Sequence, residues 1–247
     1  MKLIKTFALL CAALFLSVTA QAEQPRVLMV LTSHSAMGDT GEKTGYWLGE
    51  FTHPYYVFRD AGLQVDVASI EGGEAPIDAR SLEESDAVNQ RFHKDDEAQK
   101  LVANTRKLSS VDPAGYDAIV FVGGHGTVWD FPGNDDISRV AGSIYANDGV
   151  VAAVCHGPAA LLDLELPDGS SLVAGKKVTG FTNEEEAAVE LTEVVPFLLE
   201  DKLKEQGATF SEEQPFSSHV VVDERLVTGQ NPQSAADLGK AVVKLLK

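Results

Sequence analysis

Val150 to Leu162 reads VVAAVCHGPAALL. Val150, Val151 and Val154 suit a strand buried on both faces. Gly157, Pro158 and the run from Ala159 to Leu162 suit a helix start. Cys155 falls on the corner between them. The pattern is a nucleophile elbow with Cys in place of Ser and Ala153 in place of the first Gly of G-x-S-x-G. Unpaired N–H groups in the first turn of a following helix favour negative charge, so the thiol is expected to ionise easily, and the thiolate is the reactive form. A single cysteine in a valine strand also fits one more buried small hydrophobe. The surrounding chain decides between the two.

Upstream of the corner, Tyr116 to Val122 (YDAIVFV) reads as another buried strand and runs straight into Gly123-Gly124-His125-Gly126. Glycines placed there allow close backbone approach, and their N–H groups can form an anion nest. A tight strand-to-helix turn would use the same residues without any ligand. Val27 to Thr32 is the first strand. In Thr44 to Gly62, Trp47, Leu48, Phe51, Tyr55 and Phe58 recur at spacings of three and four, which predicts an amphipathic helix closed by Gly62. Pro54 inside it cannot donate to the Glu50 carbonyl, so a kink is expected beside an acid in an aromatic neighbourhood. Local rules broken in this way concentrate at functional sites. Leu63 to Val67 restarts as a strand. Residues 70–110 are polar and read as an insertion or cap with one short helix near Asp96 to Lys107.

Downstream, a helix is expected over about Asp135 to Asn147, a strand over Lys176 to Phe181 and a helix over Pro196 to Gln206. Strands near Val220 to Val222 and Leu226 to Thr228 precede a last helix, Gln233 to Leu246. Alternating strands and helices predict a parallel sheet covered on both faces, with ligands at the carboxyl ends of the strands.

The ends and the composition bound the setting. Lys2 and Lys5 precede an apolar run from Phe7 to Val18, and Ala20-Gln21-Ala22 offers a cleavage site. Residues 1–22 therefore read as a secretory signal peptide, and periplasmic or secreted localisation is expected. The mature part, 23–247, reads as a single α/β domain with one cysteine, so it cannot form an internal disulfide. Without Lys2 and Lys5, 18 Lys and Arg face 37 Asp and Glu, a net charge of −19. Nucleic acid and anionic membranes are poor partners for such a chain. His34, His53, His93, His125 and His219 show no metal-ligand spacing, and no metal or organic cofactor is expected. Trp47 and Trp129 read as core or pocket wall.

The order of these motifs matters: Glu50 on the first helix, GGHG after a strand, AVCHG at the corner, GFTN after the next strand and TGQNPQSA near the end. The sequence resembles the ThiJ/PfpI superfamily, within the class I glutamine amidotransferase-like fold. More closely it resembles the branch with glutathione-independent glyoxalases (glyoxalase III) and the 31-kDa heat-shock chaperones. KTGYWLGEFTHPYYVF and AVCHGPAALL are the most specific parts, and the likeness spans essentially the whole mature chain. It implies a flavodoxin-like three-layer sandwich with a mostly parallel sheet, and a homodimer. It also implies Cys155 as nucleophile, His156 beside it, and Glu50 as the acid contacting the sulfur. The third triad member is an acid after GFT, assigned to Glu186 with Glu185 as the runner-up. Gly124 and His156, with Gly123 alongside, match the oxyanion-binding donors.

The activity implied is conversion of methylglyoxal to lactate through a hemithioacetal on Cys155, a hydro-lyase reaction on a small reactive aldehyde. A stress-related holdase or a redox sensor using Cys155 is the alternative from another class. A small amide or peptide hydrolase would need a Cys155–His156–Glu186 geometry. The glutaminase pairing of Cys with a distant His-x-Glu is absent, because His219 is followed by Val220 and Val221. The run Glu184-Glu185-Glu186, apart from its triad member, reads as a solvated helix start.

Overall fold

The computed structural model describes residues 24–82 and 85–247, so the proposed signal segment lies outside the described residues. Nine strands and eight α-helices follow one another among them. In order they are β1 (Arg26–Leu31), α1 (Leu48–Asp60), β2 (Gln64–Ser69), α2 (Ala87–Phe92), α3 (Asp96–Ala103), β3 (Arg106–Lys107), β4 (Ala118–Phe121), α4 (Thr127–Asp130) and α5 (Asp135–Ala146). Then come β5 (Val150–Val154), β6 (Lys177–Val178), α6 (Asn183–Ala188), α7 (Leu199–Glu205), β7 (Thr209–Phe210), β8 (Val220–Asp223), β9 (Leu226–Gly229) and α8 (Ala235–Leu246).

Seven strands make the main sheet in the order β3-β2-β1-β4-β5-β9-β8. Every pairing in it is parallel except the edge hairpin β8–β9. Alternation along the strands divides the interior into two cores. Leu28, Val30, Phe121, Val151 and Ala153 face α5 through Ile137, Val140 and Ile144. Val27, Met29, Val120, Ala152 and Val154 face α1 and α8 through Phe51, Phe58, Leu238 and Val242. Helices on both faces of a mostly parallel sheet are the sandwich that the strand–helix alternation predicts.

Four expectations need correcting. Lys176 to Phe181 is not a long strand of the main sheet. Only Lys177–Val178 is extended, paired parallel with β7 in a separate two-stranded sheet. The place beside β5 is filled by β9, which the chain supplies 50 residues later. The 70–110 segment is more structured than a cap with one helix. It contributes α2, α3 and, through β3, the edge of the main sheet. The segment after Cys155 is a 3-10 helix, Gly157–Leu161, rather than the start of an α-helix. Glu185 and Glu186 are buried, so the glutamate run is not a solvated helix start.

Pro54 lies inside α1, and there the proline ring meets Gly239 of α8, where even a methyl group would press on the Pro54 backbone. The missing hydrogen bond at Glu50 is thus combined with a close helix–helix contact.

Candidate active site

The parallel strands β4 and β5 end side by side, so their loops meet. Cys155 follows β5 directly and takes a left-handed backbone, φ 60°. That conformation is rare for a residue with a side chain and costs about 1–3 kcal/mol, a kind of strain that clusters at functional sites. Two backbone hydrogen bonds hold it: the Cys155 N–H donates to the Gly229 carbonyl at 2.9 Å, and the Phe181 N–H donates to the Cys155 carbonyl at 2.8 Å. Beside it the buried Thr127 hydroxyl shares its one hydrogen between the carbonyls of Gly124 and His156, at 2.9 and 3.0 Å. Gly123 is needed for space, because a Cβ there would fall on the Glu50 carboxyl and the Val154 carbonyl. Gly124 has φ 107° and lies against the backbone of Gly45 to Trp47, which leaves no room for a side chain.

Two acids and two imidazoles surround the sulfur. His156 Nδ1 lies 3.3 Å from Cys155 Sγ, and its Nε2 lies 2.7 Å from Glu186 Oε2. His125 Nε2 lies 3.0 Å from the other oxygen, Oε1. Arg80 Nη2 donates to His125 Nδ1 at 3.2 Å, and Arg80 is itself clamped by Asp78 through Nε and Nη2 at 2.9 and 2.6 Å. These contacts assign the tautomers. Arg80 has only donors, so His125 Nδ1 accepts and its Nε2–H donates to Glu186. Glu186 is buried, yet the two imidazoles hold its carboxyl far below the usual range. It is therefore an acceptor, and His156 Nε2–H donates to it; in the neutral ring this leaves Nδ1 as the nitrogen that faces the sulfur with a lone pair. Burial, aided by the neighbouring His156, lowers the His125 pKa to about 4, so that ring is neutral at pH 7.

Glu50 reaches the sulfur from α1. It is fully buried, and neither carboxyl oxygen has a well-formed hydrogen bond. The Cys155 thiol and the Gly123 N–H are the groups that face it. Burial pushes its pKa well above the carboxylate range. The thiol moves in the same direction. Burial, then the unfavourable charge that Glu50 would carry when ionised, pushes Cys155 well above an ordinary thiol. That direction is opposite to the easily ionised thiol expected from the corner pattern. One 3-10 turn offers little dipole, and the neighbouring carboxyl opposes a second negative charge. At rest both groups keep their protons.

The two candidate triad acids separate cleanly. Glu186 faces His156 and His125, as above. Glu185 faces away and accepts from the Phe216 N–H at 2.8 Å, Asn231 Nδ2 at 2.8 Å, and the Thr182 N–H and hydroxyl at 3.1 Å each. It closes a capping box on α6. Glu185→Ala is expected to cost about 3 kcal/mol, since it leaves several buried donors unpaired. Urea unfolding followed by circular dichroism measures this as a lower midpoint with an unchanged slope.

His125 and Arg80 were not singled out by the sequence pattern. Their only signal was the histidine inside GGHG, and Arg80 arrives from 45 residues upstream. His125, His156 and Glu186 also place ligand-type atoms within 4.8 Å of one another, close enough to hold a metal ion. Sequence spacing gave no sign of that cluster, because its members come from three separate segments, with Glu186 on α6.

The sulfur opens into a cavity of about 560 Å³. Gly124, His125 and Phe181 line its inner end. Arg80, Asp86 and Asn89, from the 70–110 segment, form part of its wall.

Fold and site together define an α/β sandwich protein with a strained, buried cysteine at a strand end, backed by histidine and glutamate. The chain belongs to the DJ-1/PfpI family, whose model matches residues 43–245. Glyoxalase 3 of Candida albicans is 36% identical over 235 residues, covering 88% of this chain and 97% of that protein. The crystal structure of glyoxalase III from Candida albicans superposes with a TM-score of 0.84 at 34% identity, covering 90% of this chain and 97% of that one. The Rapid Encystment Protein 24 KDa of Francisella tularensis superposes with a TM-score of 0.88 at 47% identity, covering 91% and 100%.

Proposed function

We propose that this chain is a glutathione-independent glyoxalase that converts methylglyoxal to lactate on Cys155. One observation supports this above the others: a histidine ring nitrogen and a fully buried acid, Glu50, converge on one sulfur. The named glyoxalase relatives, aligned over nearly their full length, support the same reading.

The chemistry follows from the protonation states. His156 Nδ1 takes the thiol proton as sulfur adds to the aldehyde carbon, and Glu186 stabilises the imidazolium that results. Glu50 protonates the aldehyde oxygen, giving a hemithioacetal. The Glu50 carboxylate, strongly basic in its buried site, removes the proton on that carbon; the hydroxyl proton passes to the neighbouring carbonyl oxygen, and Glu50 delivers the carbon-bound proton to the neighbouring carbon. The Gly124 and His156 N–H groups stabilise the enediolate oxygen on the way. The product is a thioester; water adds to its carbonyl carbon and gives a proton to the Glu50 carboxylate, the carbon–sulfur bond breaks, His156 returns its proton to sulfur, and lactate leaves. Water is the only co-reactant. The aldehyde carbon is oxidised and the ketone carbon reduced, so no external redox partner enters.

The Cys155–His156–Glu186 alignment would also suit a small amide hydrolase. Glu50 favours the glyoxalase, because an acid that shuttles protons between two carbons has no task in simple acyl transfer. The large apolar side chains exposed among the described residues, Leu82, Phe216, Val222 and Leu245, lie on four separate segments, which gives little support to a holdase face. Action outside the cytoplasm, through the N-terminal signal, and a homodimer are parts of the same proposal. The test is lactate formation from methylglyoxal without glutathione. Turnover is expected. No lactate, with Cys155 still alkylated by iodoacetamide at its normal rate, would overturn the reading.

A further inference from the structure

Phe216 is out of place by two measures. It is 41% exposed, although it is a large apolar side chain, and its backbone is left-handed with φ 58°. A bulky residue rarely adopts that conformation. It is held there by its N–H bond to buried Glu185 at 2.8 Å, and by Asn231, which donates to the next carbonyl, Ser217, at 2.7 Å. Its ring sits edge-on to Phe181, 6.3 Å between centroids, and the Phe181 ring lies 4.4 Å from that of His156. Phe216, Phe181 and half-buried Trp47 all line the cavity that contains Cys155.

The cavity volume, about 560 Å³, is that of a site for a drug-sized ligand. Methylglyoxal has five non-hydrogen atoms and would leave most of it to water. Four of the polar side chains that line the cavity are already engaged within the chain. His53 pairs with Asp86 at 2.8 Å, Asn89 accepts from Thr52 at 2.6 Å, and Arg80 is taken by Asp78 and His125. Apart from the Gln233 amide, what the cavity still offers a ligand is apolar surface, with Trp47, Phe181 and Phe216 as its aromatic part.

We propose that Phe216, with Phe181 and Trp47, forms an aromatic subsite next to Cys155, and that the preferred substrates are 2-oxoaldehydes bearing an apolar group of aryl size. The proposal rests on the glyoxalase reading for its chemistry. The balance is the same: an aryl 2-oxoaldehyde and water give the aryl 2-hydroxy acid, with the hydrogen moved between the two carbons inside the site. Phe216 is a specificity-determining residue here and touches no reacting atom.

The test compares initial rates with phenylglyoxal and methylglyoxal for the wild-type chain, Phe216→Ala and Phe216→Leu. The wild type is expected to favour phenylglyoxal by about tenfold or more in kcat/KM, the scale set by a well-filled apolar pocket. Phe216→Ala is expected to lower the phenyl-to-methyl ratio about tenfold, mainly through KM, and Phe216→Leu to restore part of it. A second readout needs no turnover: mandelate should slow alkylation of Cys155 by iodoacetamide in the wild type and not in Phe216→Ala. Equal loss on both substrates, or an unchanged ratio, overturns the subsite. If neither aldehyde is turned over, the glyoxalase reading fails by itself. Mandelate protection that depends on Phe216 then still supports the subsite, and its absence refutes it.

Discussion

Glu50→Gln is expected to abolish methylglyoxal turnover and, in the same variant, to make the folded chain more stable at neutral pH. The loss follows from the role proposed for the acid. An amide has no proton to give to the aldehyde oxygen and no basic oxygen to take one from carbon, so turnover should fall about 10³-fold or more. Cys155→Ala removes the bond-forming atom itself and should fall further, by about 10⁴-fold or more. The gain in stability follows from burial. Glu50 holds its proton in the folded chain well above the ordinary glutamate value of 4.5. The unfolded chain loses that proton near 4.5. Folding is therefore fully favoured below that pH and progressively less so as pH rises toward the folded value, by at most about 1.4 kcal/mol per pH unit. Glutamine does not titrate. The difference between variant and wild type should thus be small near pH 4.5 and widen through pH 7. Urea unfolding at several pH values reads it directly. A variant that is inactive because it is unfolded would show the opposite sign, and one that is active would remove Glu50 from the mechanism.

The same buried acid shows where the sequence was legible. The strands, the corner at Cys155 and the GGHG loop are written in local pattern, because valine runs and glycines after them have few other uses. Their placement at adjacent strand ends follows from the parallel sheet alone. Glu50 was visible as an acid beside a proline in a helix. The sign of its effect was not visible. The corner pattern points to a lowered thiol pKa, and only the fold shows α1 setting a carboxyl against the sulfur. Glu185 and Glu186 are indistinguishable as letters. They differ by one step around α6, which turns one toward two histidines and the other toward Asn231 and the Phe216 loop. The extended run at Lys176 to Phe181 failed for a related reason. β9, from later in the chain, takes the position in the sheet that this run would otherwise fill. Arg80 reaches His125 from 45 residues away and His125 reaches Glu186 across 61, contacts that no spacing rule anticipates.

That two-histidine arrangement gives Glu186→Gln a large and distinctive expected effect. The Glu186 carboxylate now accepts from two N–H donors at once, one imidazole on each oxygen. A glutamine has one acceptor and one donor end. If its oxygen faces His125, its NH₂ meets His156 Nε2, which must then give up its proton and accept. The His156 proton moves to Nδ1, which is the atom facing the sulfur at 3.3 Å. An Nδ1–H cannot take the thiol proton, and the Cys155 thiol, already held high by burial and Glu50, loses its base. If the amide turns the other way, its NH₂ meets His125 Nε2–H, whose tautomer Arg80 fixes from behind. Two donors then face each other in a buried space, which costs about 1–3 kcal/mol. The first arrangement is therefore preferred, and turnover is expected to fall about 10²- to 10⁴-fold. Alkylation of Cys155 should slow at neutral pH and recover only when hydroxide removes the proton directly. His125→Gln separates the causes. With His125 gone, the Glu186→Gln amide is free to turn its oxygen toward His156, so the double variant should regain part of the activity lost by Glu186→Gln alone. A double variant no better than the single one would mean that Glu186 acts through its charge and not through the tautomer it imposes.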